Sequence, residues 1–157
     1  MTTTTRTQTT YEKTIKGERL TEHFSLKEMI QSGTAIRLNI DNSPSAEAID
    51  NLQLLCTNVL EPLRRRFGVI RVTSGYRSVE LNKAVGGSRT SQHMKGQAAD
   101  IHVSSFEMGR KMMDFLCENV TFDQALLEHS AKSGSRWLHV SYNVTGNRRY
   151  AVYDYQA

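Results

Sequence analysis

Cysteine is scarce in this 157-residue chain: only Cys56 and Cys117 occur, and neither has a C-x-x-C partner. Two thiols cannot build a four-sulfur metal site. Each falls on the apolar side of a helical pattern, which favours buried, reduced core thiols, with one bridge between them left open. Long apolar runs are missing too. None approaches the roughly 18 residues that a membrane-crossing helix requires, so no transmembrane segment is expected. Charge of one sign is also lacking, since 20 Lys and Arg against 16 Asp and Glu leave a net +4. Such a mild excess suits an anionic polymer such as cell wall as readily as nucleic acid. The densest basic run, Arg64-Arg65-Arg66, ends a helical pattern, where cations complement the helix dipole. No aromatic-basic interleaving of an RNA-binding sheet is present, so no nucleic-acid partner is expected.

The tract Met1 to Thr10 is polar and threonine-rich, without an apolar h-region or a small-residue cleavage site. It therefore reads as no secretory signal, and residues 1–20 read as a disordered leader. The remainder, 21–157, is long enough for one domain with a real core.

Proline occurs twice. Pro44 suits the first turn of a helix, and Pro62 is expected to kink the last turn of the same helix. Between and beyond them Ile49, Leu52, Cys56, Val59, Leu60, Leu63 and Phe67 recur at mostly three- and four-residue intervals, an amphipathic helix that Gly68 stops. Ser25-Leu26-Lys27-Glu28 is a capping box that starts a short helix ended by Ser32-Gly33. A helix is predicted over Val79 to Val85, and another follows the cap at Ser104 to Glu107 with Met108, Met112, Phe115 and Leu116 on one face. Strands are predicted at Val69 to Thr73, Ala98 to Val103, Phe122 to Leu127, Trp137 to Tyr142 and Tyr150 to Tyr155. Short connections imply antiparallel pairing with helices on one side, an α+β layer architecture.

The chemistry concentrates in two stretches. Asp100 lies between Ala99 and Ile101 in a strand that should be largely buried, and a buried carboxylate needs a cation. A metal and an arginine serve equally well for Asp100 alone. His93 sits in a polar loop where Gly96 permits a tight turn. In Trp137-Leu138-His139-Val140-Ser141, alternation puts Trp137, His139 and Ser141 on one face. Two imidazoles and one carboxylate form the usual open ligand set of a catalytic zinc, with a fourth corner for water or substrate. The ion's residual charge acidifies water and polarises a carbonyl. Taken together the three favour a metal, and the chain reads as a metallohydrolase.

Such a site also needs a base. Asp123 and Glu128 are the candidates, and Glu128 is preferred because a hairpin return puts it on a cross-strand diagonal from His139. The alternative is a charged residue solvating a hairpin tip. Arg77, at the exit of the first strand, can offer its fork to a substrate carboxylate or an oxyanion, or be an exposed turn residue. His102 shares a face with Asp100 and could support the site from behind. His23 and His129 read as surface loop residues.

The pattern Ser91-x-His93-x6-Asp100 with Trp137-x-His139, preceded by Ser74-Gly75-Tyr76-Arg77-Ser78, resembles the zinc D-alanyl-D-alanine carboxypeptidase family, peptidase family M15. That family includes carboxypeptidases, dipeptidases and phage L-alanyl-D-glutamate endopeptidases, and shares a fold with the Hedgehog signalling domain. The likeness runs from about Phe24 to Tyr142; Leu60 to Arg64 and Gly86-Gly87-Ser88 also look typical of the carboxypeptidase-like branch. The resemblance implies a small antiparallel sheet with helices packed on one side. It implies zinc held by His93, Asp100 and His139, and a substrate of peptidoglycan stem peptide containing D-amino acids. It further implies that Arg77 steadies the scissile carbonyl or substrate carboxylate and that Ser91 lines the substrate pocket. One departure stands out: several members carry the catalytic acid three residues before the last histidine, where this chain has Arg136. The Hedgehog domain places its glutamate on the preceding strand, and Glu128 fits that arrangement. Expected, then, is a monomeric enzyme made in the cytoplasm and acting at the bacterial cell wall, as a phage or prophage endolysin does. The competing readings are an inactive, zinc-stabilised cell-wall or protein-binding module, and a plain structural domain whose His and Asp residues form salt bridges.

Overall fold

Serine opens five of the described α-helices. Ser25, Ser32, Ser45, Ser78 and Ser105 each accept a hydrogen bond from a backbone N–H in the first helical turn, which satisfies an amide the helix leaves without a partner. A computed structural model describes residues 19–157, so the expected leader falls, apart from Arg19 and Leu20, outside the described residues. Helix α1 (Leu26–Ile30) starts at the capping box with both arms formed, Glu28 N–H to Ser25 Oγ and Ser25 N–H to Glu28 Oε1. Ser32-Gly33 ends α1 and also begins α2 (Gly33–Arg37), because the Ser32 hydroxyl accepts from Ala35. Pro44 precedes the Ser45 cap of α3 (Ala46–Leu55) rather than entering its first turn.

The long apolar stripe is continuous, and Pro62 meets it just after a π-helical segment. Five residues of π-helix, Cys56–Leu60, join α3 to α4 (Glu61–Phe67), and Glu61 N–H bonds to the Cys56 carbonyl five positions back. That widened turn places Pro62 at the start of α4, where a missing N–H costs nothing. Gly68 stops the helix at φ +87°. Helix α5 (Val79–Ala84) and the long α6 (Phe106–Asn119) follow among the described residues. Among the described residues no helix is long and apolar enough to cross a membrane.

Among the described residues five strands form one sheet: β1 (Val72–Ser74), β2 (Ala98–His102), β3 (Gln124–His129), β4 (Arg136–Ser141) and β5 (Tyr150–Gln156), in the order β1-β2-β4-β3-β5. The first strand is shorter than its apolar run suggested. All pairs are antiparallel except β3 with β5, which is parallel. The sheet is mostly antiparallel, as expected, with this one parallel pair. The connection 142–149 passes over the start of β3, so β5 joins on the far side of β3 instead of beside β4. Asp123 fixes that crossing, since its carbonyl accepts from Tyr150 N and its carboxylate from Arg148. The class remains α+β.

Alternation along the strands sorts two faces. Ala99, Ile101, Ala125, Leu127, Leu138 and Val140 join the helical core side chains Leu52, Leu55, Val59, Leu60, Leu63, Met112, Met113 and Leu116 in one cluster. Both cysteines are free, Cys56 buried and Cys117 half-buried. One charge penetrates the helical side. Glu61 is 2% exposed and its carboxylate accepts from the Thr21 hydroxyl (2.7 Å), His23 N–H (2.8 Å) and the His23 ring (2.7 Å). His23 is thus a half-buried partner of Glu61, not a free surface residue. Burial alone would raise the Glu61 carboxyl, but the hydrogen bonds from Thr21 and His23 hold it below the ordinary range.

Because the folded-state pKa is depressed, this latch stabilises the protein above the unfolded carboxyl pKa of about 4.3 and fades as pH falls through the folded value. Glu61→Gln is expected to lower stability by about 2 kcal/mol at pH 7. It should also flatten the loss of stability on acidification, read from urea titrations at stepped pH.

Candidate metal centre

The sheet face turned away from the helical core carries the titratable side chains. Register places Asp100 of β2 directly opposite His139 of β4, and His139 opposite Leu126 of β3. Glu128 lies opposite Trp137, two positions from Leu126 on the same face. His139 Nδ1 therefore stands 2.9 Å from Asp100 Oδ1 and 4.0 Å from Glu128 Oε2.

His93 arrives from outside the sheet. It rides on a single 3-10 turn, Gln92–Lys95, whose cap is Ser91; the Ser91 hydroxyl accepts from His93 N–H at 3.2 Å. Gly96 then turns the chain into β2 at φ +73°, and a Cβ there would stand 2.4 Å from the Ala48 carbonyl oxygen. His93 is 3% exposed. Its Nδ1 donates to the Gly75 carbonyl at 2.7 Å, which leaves Nε2 facing Asp100 Oδ1 at 3.5 Å.

Ligand-type atoms of His93, Asp100 and His139 all lie within 4.8 Å of one another. A tetrahedral zinc with bonds of about 2.0–2.1 Å sets its ligands about 3.3 Å apart. The Asp100 distances of 2.9 and 3.5 Å bracket that spacing. The donor set is a carboxylate and two imidazole nitrogens, one of them tautomerically fixed by a backbone carbonyl, as metal-binding histidines are. The residues fit the ion. A second group, Glu22, His23 and Glu61, also converges, but protein donors already fill the Glu61 carboxylate and Glu22 is exposed.

Electrostatics separate the two acids. Burial alone would raise Asp100, yet hydrogen bonds and charge from His139 and His93 outweigh it and hold the carboxyl far below its usual range. For Glu128 burial wins and lifts the carboxyl. The Asp100 charge adds to that rise, while His139, a hydrogen bond from Trp137 and Arg77 oppose it. Arg77 is not a loose turn residue. Its Nη2 lies 3.6 Å from Asp100 Oδ2, its Nη1 donates to Asn82 Oδ1 at 3.1 Å and its Nε to Ser74 Oγ at 3.3 Å. The register of β1 on β2 shifts between Val72 and Ser74, a bulge that brings Ser74 opposite Asp100.

Sequence reading missed Asn82. It is 3% exposed and anchors Arg77 while donating to the Ser88 carbonyl at 2.9 Å; a polar residue on the buried side of α5 was the available signal. Asp123, the rival base, is engaged by Arg148 and Gln92 instead. His102 is exposed and outside the cluster. His129 closes β3, 3.1 Å from Asp154, rather than lying in a loop. Arg136 pairs with Asp154 and stacks on Phe106.

The family model for Peptidase M15 matches residues 22–141. The chain belongs to this family. The matched span holds every residue of the cluster and ends with β4, leaving β5 beyond it. A comparison with curated proteins returns no match. As an M15 peptidase, the protein is a hydrolase that takes a peptide substrate.

Gly75 ties this M15 centre to the helices, because a Cβ at that position would lie 2.1 Å from the Met29 carbonyl oxygen. Gly75→Ala should cost about 1–3 kcal/mol through that clash and loosen the carbonyl that holds His93. Melting curves with and without added zinc should show a lower Tm and a smaller zinc-induced gain than the unsubstituted chain. An unchanged gain would separate Gly75 from the His93 turn.

Proposed function

We propose that this M15 peptidase is a zinc enzyme that hydrolyses peptide bonds in D-amino-acid-containing peptidoglycan stem peptides. The observation that carries the metal reading is the convergence of His93 Nε2 and His139 Nδ1 on Asp100 Oδ1, at 3.5 and 2.9 Å, with ligand-type atoms of the three residues within 4.8 Å of one another. The substrate reading is supported by the Ser-Gly-Tyr-Arg and Ser-x-His motifs and by a net charge of +4 suited to an anionic wall.

A zinc ion held by His93, Asp100 and His139 would supply a Lewis acid and a water acidified towards pKa about 7. Glu128, its proton affinity raised by burial, receives the proton of the attacking water and delivers it to the leaving amine. Arg77 keeps its guanidinium against Asp100 by its bonds to Asn82 and Ser74, and so presents fixed N–H groups to the scissile carbonyl or a substrate carboxylate. Ser91, whose hydroxyl caps the His93 turn, borders the substrate from that turn.

Glu128→Gln keeps size and hydrogen bonding but removes the base. Turnover of purified muropeptides should fall by at least about a hundredfold, with zinc still bound. Chelation of the unsubstituted protein should abolish cleavage, and zinc should restore it, with fragments weighed by mass spectrometry. Undiminished turnover by Glu128→Gln would remove that residue from its role. Intact muropeptides with the zinc-loaded chain would overturn the substrate reading.

A further inference from the structure

The family match ends at Ser141, and the chain beyond it reaches back to the turn that carries His93. The connection 142–149 carries Arg148 over the start of β3. There its backbone N–H and Nε each donate to Asp123 Oδ1 at 2.9 Å, and its Nη2 donates to Oδ2 at 2.8 Å. The Asp123 carboxylate also accepts from Gln92 Nε2 at 3.0 Å. Gln92 is the residue before His93, and its carbonyl accepts from Gln97 N–H at 3.0 Å, closing the 3-10 turn. Asp123 is 2% exposed, whereas the Arg148 side chain is 63% exposed. Arg148 therefore fills no core space, and its contribution is to aim a buried carboxylate.

We propose that Arg148, Asp123 and Gln92 form a clamp through which the C-terminal addition positions the His93 turn for metal binding. A single 3-10 turn has poor hydrogen-bond geometry and little stability of its own. A ligand borne on a loose turn loses conformational entropy at the moment of binding, which weakens affinity. The fork of Arg148 fixes the plane of the Asp123 carboxylate, the carboxylate fixes the Gln92 amide, and the amide keeps the turn wound with His93 facing Asp100. Asp123 and Gln92 are positioning residues and touch neither substrate nor ion. Arg148 orients them from a segment outside the matched span. The inference rests on His93 being a metal ligand.

The test uses the full chain and three variants: Arg148→Ala, Gln92→Ala and the double substitution. Zinc affinity is read by competition with a chromogenic chelator. Hydrogen exchange of the 92–97 amides is read in zinc-free protein. Each single variant should bind zinc about tenfold more weakly. The double variant should be no weaker than the worse single one, because both remove the same linkage. The turn amides should exchange faster in Arg148→Ala, with α3 and α6 amides unchanged. Unaltered zinc affinity in Arg148→Ala, or additive losses in the double variant, would overturn the clamp. If the unsubstituted chain binds no zinc, the metal reading falls, and unchanged exchange of the turn in Arg148→Ala would sink the clamp separately.

Discussion

The pairing of Asp100 with His139 across two antiparallel strands is the constraint on which the centre depends. Residues directly opposite in such a ladder have side chains on one face within contact distance, so the register that pairs Ala99 with Val140 and Ile101 with Leu138 in the core also fixes the carboxylate against the imidazole. A slip by one residue would send both to the wrong side. The core and the candidate metal centre are two faces of one decision. His93 can then complete the cluster from a single turn, because both of its partners there are already held rigidly.

Four buried or half-buried carboxylates show how neighbours, not residue type, assign roles. Glu61 is satisfied by Thr21 and His23 and ties the start of the described chain to α4. Asp123 accepts from Arg148 and Gln92, and the hydrogen bonds and charge of Arg148 hold it ionised. Asp100 faces two imidazoles and an arginine, which keeps it ionised despite burial. Glu128 alone sits where burial outweighs its partners, so its carboxyl holds a proton more readily than the others. A carboxyl of that kind beside a metal-type cluster keeps its proton to higher pH than the tightly paired acids do, which suits it to proton exchange.

Close backbone packing supplies the stiffness. Gly75 and Gly96 allow two chain turns to rest directly on the carbonyls of Met29 and Ala48. The helices thereby brace both segments that hold His93. The π-helical segment lets the apolar stripe pass Pro62 without a break, so α3 and α4 present one continuous surface beneath the sheet. The C-terminal strand adds to β3 in parallel, and its connection is what carries Arg148 to Asp123.

Sequence by itself determined what local rules govern: the serine caps, the amphipathic stripe, the alternation of Trp137 to Ser141, and the motif that groups His93, Asp100 and His139. It ranked Glu128 over Asp123 because hairpin parity is a period-two property readable along one strand. Local rules could not show that Pro62 is relieved by a π-turn, that Ser32 starts a second helix, or that β5 crosses to the far side of β3. Nor could they show that Asn82 holds Arg77 or that Arg148 holds Asp123. Those outcomes depend on which distant donor meets which buried acceptor. Only the folded chain settles that, since a hydrogen bond across 25 residues of sequence leaves no periodic trace in either partner.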